Sequence, residues 1–215
     1  MRINPKPSIT LLAALAVVLA AIPAMASGPA SAPKARQGSI AVAYPWAFEN
    51  GTTTSRRTAI TSAEEIGRKA GYASVPAAEA RSAWKSNNYP ARSFGHLPSK
   101  ATLESYGLAT HASEVMYGSV SWHTRSVWVN LGPKTISTAT VDVYVFDVRA
   151  NKVVFKSLGI TGRSDEKSNV YKVAADILIT PLVTAVSGGP ATPQEQRAVQ
   201  IALGVAYHPW VRSSR

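Results

Sequence analysis

Between Thr138 and Val148 the chain alternates. Ala139, Val141, Val143 and Val145 interleave with Thr138, Thr140, Asp142 and Tyr144. A period of two puts one set of side chains on each face of a pleated strand, and a helix has no use for it. Val143 is therefore expected to face a core and Thr140 the opposite side. Val148-Arg149-Ala150-Asn151 reads as a hairpin turn, because Asn tolerates the left-handed backbone region. A second strand is expected over Lys152–Ile160, dense in Val153, Val154, Phe155 and Ile160. Upstream, Glu114–Thr124 predicts a third, joined through the Gly132-Pro133 turn signal. The expectation is an α/β fold: a mixed sheet of about four or five strands containing an antiparallel three-strand meander, with helices packed on it.

Helical periodicities flank the meander. Ala59, Ala63, Ile66 and Ala70 form one stripe and predict a helix over Thr54–Ala70, with Gly71 just past its end. A short strand at Tyr72–Val75 is followed by Pro76, which opens a helix over Ala77–Ser86 with Ala80 and Trp84 on one face. Ser99 is placed to cap a helix through Tyr106 that Gly107 closes. Val170, Val173, Ala174, Ile177 and Leu178 predict a helix over Ser168–Thr180, ended or kinked at Pro181. After the Ser187-Gly188-Gly189-Pro190 break, Thr192, Pro193 and Glu195 read as a capping box opening a helix that runs to Tyr207 and stops before Pro209. The α/β domain is thus expected over residues 39–186, with a helical carboxyl-terminal extension over 187–215.

The amino-terminal segment reads as an export leader. Arg2 and Lys6 precede the apolar run Ile9–Ile22, and Ala24-Met25-Ala26 is a small-x-small cleavage site, so a signal peptide is expected over 1–26. The apolar run is too short to span a bilayer, where ~20 residues are needed, and no transmembrane segment is expected after cleavage. Ser27–Gly38 reads as a flexible linker. Ile40-Ala41-Val42-Ala43-Tyr44 then fits a strand buried on both faces, and Trp46, Phe48 and Asn50-Gly51 a loop.

Losing the leader removes Arg2 and Lys6, so the 23 Lys and Arg fall to 21 against 12 Asp and Glu, a net charge of +9. That balance favours anionic surfaces such as an envelope polymer. The cations stand singly or in pairs, as in Arg56-Arg57 and Arg68-Lys69, which speaks against a specific nucleic-acid site. With no Cys in the chain, neither a disulfide nor lipid attachment at a processed Cys is available.

The catalytic inventory is thin. His96, His111, His123 and His208 show no metal-ligand spacing, and no nucleophile elbow is present, so no enzyme activity, metal or cofactor is expected. Asp147 reads as an acceptor for turn amides and Asp142 as a partner for a cation across the hairpin. The functional hint lies in aromatic residues. Tyr44, Trp46 and Phe48 follow the first strand, and Trp122 and Trp128 lie at the far end of the first hairpin of the meander. These five are the candidate partner-binding residues, since exposed aromatics mark binding surfaces.

The order of elements resembles the domain of the curli-secretion-channel (CsgG-like) family and, more loosely, the amino-terminal domain of TolB. Leu97-Pro98 with Leu103 through Leu108 is similar to that family's helix before the central strand. Ser113-Glu114-Val115-Met116-Tyr117-Gly118-Ser119-Val120 resembles the strand itself, and Val141 through Asp147 with Asn151-Lys152-Val153-Val154 its aspartate-ended strand and tight turn. The resemblance spans roughly Ser39 to Val183. The chain lacks the lipidation Cys and any long alternating insertion able to build a membrane barrel, so the pore-forming role is not implied. What is implied is an exported, non-catalytic assembly or scaffolding module. Its partner would be an envelope protein or a second copy of the chain. Binding of an anionic envelope polymer, or an enzyme of unrecognised type, is the alternative.

Overall fold

The alternation around Thr138 belongs to strands longer than the sequence pattern alone defines. In the computed structural model, which describes residues 38–41, 46–89, 94–129, 132–167, 169–178 and 191–214, β4 runs over Glu114–Val129, β5 over Gly132–Asp147 and β6 over Lys152–Arg163. They pair antiparallel in sequence order and form the expected meander. Ahead of them come β1 (Ser39–Ala41), β2 (Trp46–Glu49), α1 (Thr53–Lys69), β3 (Ala73–Ser74), α2 (Ala77–Ser86) and α3 (Lys100–Ala109). Two helices, α4 (Asn169–Ile177) and α5 (Ala191–Ser213), follow. The sheet is mixed, in the order β3-β1-β4-β5-β6, with β2 also on β4. The expected leader, most of the linker, Pro181 and the Ser187–Pro190 break lie outside the described residues.

Trp46–Glu49, expected as loop, is a strand. β1 and β2 are two short pieces laid end to end along one edge of β4, both parallel to it: Ile40 pairs with Glu114, and Trp46 with Gly118. The loop reading failed because Pro45 signals a break, and only the neighbouring edge of β4 restores an extended path. Asn50 and Gly51 then turn the chain with positive φ angles of 56° and 70°. A Cβ on Gly51 would lie 2.5 Å from the Trp122 ring, so both conformation and space require glycine there.

Helices cover both faces. On one, α1, α4 and α5 bury Ile66, Ile177, Leu203 and Tyr207 against Met116, Val120, Val141, Val143 and Val145. On the other, α2 and α3 bury Trp84, Leu103 and Tyr106 against Val115, Tyr117 and Phe146. Val143 is buried and Thr140 half-buried on the opposite face, as the alternation requires. Ser99 caps α3 by accepting from the Thr102 amide at 3.2 Å. Gly107 does not close that helix. It lies inside α3, where a Cβ would come within 2.3 Å of Val148, so its role is close packing.

The last helix departs most from its sequence pattern. α5 passes through Pro209 and continues to Ser213. Pro209 is exposed, while Trp210 and Val211 beyond it are buried. Trp210 stacks on Tyr72 with centroids 5.7 Å apart and planes 11° off parallel, and sits 6.4 Å from Phe155. The aromatic docking offsets the backbone bond that proline removes. The helix begins at Ala191, so Thr192 is not its cap. Glu195 instead reaches the start of α1: its Oε2 accepts from the Thr52 amide at 2.9 Å and the Ser55 hydroxyl at 2.7 Å. α1 has no acidic residue in its own first turn, and this carboxylate meets the positive end of its dipole. The segment expected as an extension therefore closes the core. At Gly162 the backbone of α5 comes so near that a Cβ would fall 2.3 Å from the Ala198 carbonyl oxygen.

Candidate interaction surface

The five aromatic candidates meet different fates. Tyr44 lies outside the described residues. Trp46 is fully buried opposite Gly118, whose added Cβ would lie 3.2 Å from its ring. Trp122 is 3% exposed and its indole N–H donates to the Glu195 carbonyl at 3.1 Å. Phe48 is half-buried, its ring 6.0 Å from that of Trp122. Trp46 and Trp122 therefore offer no ring surface to a partner, because the core side of the sheet takes them. Trp128 is 83% exposed.

Trp128 sits on an arm. β6 leaves β5 at Thr138, where it pairs with Arg163, and beyond that point β4 and β5 pair only with each other, from Thr124–Ser137 out to Val129–Gly132. Thr124 and Ser137 join their hydroxyls at 2.5 Å at the base, and the Ser137 amide donates to the Ser164 hydroxyl at 3.1 Å. Lys134 lies 3.8 Å from Asp165, a further tie between arm and body. The arm then carries Arg125 and Ser126, both exposed, half-buried Val127, and at its end Trp128 and Val129, the latter 48% exposed. From Val115 through Val141 no carboxylate occurs. The sequence reading stopped β4 at Thr124. The available signal was the continued absence of Gly, Pro and acids up to Val129, with Thr135-Ile136-Ser137 returning opposite.

Behind the arm, the sheet face away from α5 is polar. Tyr117 and Tyr144 stack with centroids 4.9 Å apart. Burial, with Tyr144 as the smaller cause, pushes the Tyr117 phenol up to about 12. Burial and then the Asp142 charge raise that of Tyr144. Asp142 does not pair with a cation as expected. Its Oδ1 accepts from the Gly159 amide at 2.7 Å, where a register shift lets β6 bulge. Asp147 accepts from the Ala150 amide at 2.7 Å, holding the β5–β6 turn as expected.

One cluster of charged groups gathers where three helices end. Lys69, Asp176, His208 and Arg212 rim an open cleft of about 240 Å³ over Ile177 and Val211, bringing both signs of charge to the ends of α1, α4 and α5. His96, His111 and His123 lie apart from it, and among the described residues no group of three or more His, Asp or Glu is arranged to hold a metal. No helix among the described residues is long and apolar enough to cross a membrane.

No family model matches the chain, and no curated protein matches it. Solved structures of similar layout exist. A lipoprotein of Neisseria meningitidis, GNA1162, is 19% identical with a TM-score of 0.42, over 61% of this chain and 88% of that one. LpoB of E. coli is 12% identical with a TM-score of 0.37, over 74% of this chain and 86% of that one. The PelC dodecamer of Paraburkholderia phytofirmans is 14% identical with a TM-score of 0.36, over 83% of this chain and 91% of that one. At these values the likeness is in outline, and no role is carried over from it.

Proposed function

We propose that this chain is an exported, non-catalytic assembly or scaffolding module of the cell envelope, cleaved after Ala26, that works through the tip of the β4–β5 arm. The observation that carries the reading is Trp128: a large indole, 83% exposed, held at the end of a paired two-stranded arm whose base is buried at Ile136 and Ser137 but whose end is open to solvent. Exposed aromatic anchors of this kind concentrate binding energy. The leader pattern supports export, and the curli-secretion-channel resemblance of Ser113–Val120 and Val141–Asp147 supports an assembly role. The outer edge of β6, which carries exposed Val154 and Leu158 and has no paired strand among the described residues, is the proposed surface for self-association.

The test is fractionation of cells making wild type or Trp128→Ala. The exported protein is expected to begin at Ser27 and to travel with the envelope. Trp128→Ala is expected to melt within about 0.5 kcal/mol of wild type, since an exposed side chain contributes little to folding, yet to be released from the envelope fraction. Retention of the variant like wild type overturns the reading.

A second reading, attachment to an anionic envelope polymer, is favoured by one observation. The polar sheet face carries exposed His123, Arg125, Lys156 and Arg163 against two strand carboxylates, exposed Glu49 and Asp142, the latter occupied by the Gly159 amide. Retention on an anionic polysaccharide that falls steeply with salt supports it.

A further inference from the structure

We infer that the tip of the β4–β5 arm inserts into the headgroup region of an anionic lipid surface. This rests on the proposed reading of the tip as the working contact and names what it contacts. Val127, Trp128 and Val129 end β4, and the chain returns through Gly132-Pro133. An indole pairs a large apolar body with one N–H donor, the combination that settles where acyl chains meet headgroups. The strands of the arm itself carry charge of one sign, and Asp165 of the body offsets part of it. Arg125 is exposed and Lys134 half-buried with Asp165 at 3.8 Å, and no carboxylate occurs between Glu114 and Asp142.

The spacing fits. At ~3.3 Å per residue, three positions along β4 put Arg125 roughly 10 Å behind Trp128. An interfacial segment buries its apolar side ~5–10 Å deep, so with the indole at that depth the guanidinium stands at the level of the phosphates. The ladder between β4 and β5, from Thr124–Ser137 to Val129–Gly132, pairs only the groups that face between the two strands, so the outward-facing amides keep the arm in the hydrated headgroup region. Crossing is excluded, because Arg125–Val129 is far shorter than a ~30 Å hydrocarbon core. The tip lies in the surface and does not span it. One indole and two valines give a reversible anchor, strengthened roughly fivefold by each nearby cation on an anionic surface.

The four other tryptophans supply the control. Trp46, Trp84, Trp122 and Trp210 are all buried, so a quencher dissolved in the lipid reaches Trp128 first. The exported protein is mixed with vesicles of three parts phosphatidylethanolamine to one part phosphatidylglycerol, with and without brominated acyl chains, and with phosphatidylcholine vesicles. Tryptophan fluorescence is expected to be quenched by the brominated anionic vesicles. Trp128→Phe should remove the quenching while keeping binding, and Trp128→Ala should weaken binding by roughly tenfold or more. Arg125→Gln should weaken binding at low salt, and about 0.5 M salt should erase the preference for anionic vesicles. Absence of quenching on anionic vesicles at low salt overturns the inference, as does full quenching in Trp128→Phe. If vesicles are ignored while Trp128→Ala is still released from the envelope fraction, the tip contacts a protein: the lipid inference falls and the assembly reading stands. If Trp128→Ala changes neither measurement, both fall.

Discussion

Tyr117 illustrates how much one side chain is governed by what lies across the sheet. Its phenol is pushed up to about 12, chiefly by burial, from an ordinary value near 10. The unfolded chain therefore loses this proton first as pH rises, and stability is full below ~10 and drains away between ~10 and ~12. Two units correspond to about 3 kcal/mol. Tyr117→Phe is expected to flatten that alkaline limb in urea titrations at pH 9 to 11.5, and an unchanged slope contradicts the assignment. Residue-scale fates of this kind were the least legible part of the sequence. Trp46, Trp122 and Trp128 look alike along the chain, yet two are core and one is solvent-facing. The decision is made by Gly118 on a neighbouring strand and by the Glu195 carbonyl, 73 residues from Trp122.

Among the elements, those whose signals are local were read correctly from the sequence. Ala77–Ser86 emerges as written, and α1 ends beside Gly71, because capping and stripe lie within one turn or two. Elements completed by distant partners were cut short. β4 runs on to Val129 since β5 pairs with it residue by residue to Gly132, although past Ile136 the arm buries no large side chain. α5 runs through Pro209 since Tyr72 and Phe155 hold Trp210. The face assignment inside β5 was legible and gives a direct comparison. Val143→Asp buries a carboxylate beneath α5 at a cost of several kcal/mol, out of a typical total of ~5–15, while Thr140→Asp sits on the half-exposed face. Thermal melts are expected to show an unfolded or strongly destabilised first variant and a near-normal second. Equal melting temperatures would mean the register is wrong.

At the scale of the whole molecule, the tie between α5 and α1 joins the last described helix to the first. Glu195→Ala leaves the buried Ser55 hydroxyl and the Thr52 amide without their acceptor and is expected to cost about 2–4 kcal/mol. Glu195→Gln, which keeps an acceptor but not the charge, should cost roughly half as much. Urea midpoints of the two variants check this, and values equal to wild type would show that the contact is incidental. The sequence could not reveal it, because Glu195 satisfies the local pattern of a capping box as well as it satisfies the distant helix.

That tie also sets a timetable. Ala198, Ile201, Ala202, Tyr207 and Trp210 all belong to the larger core, and all are made after the sheet and the helix that they cover. Until α5 emerges, Val141, Val143 and Val145 have no lid and α1 has no anion at its start. Synthesis alone therefore cannot close the larger core before α5 has been made, however early the meander and the smaller core form.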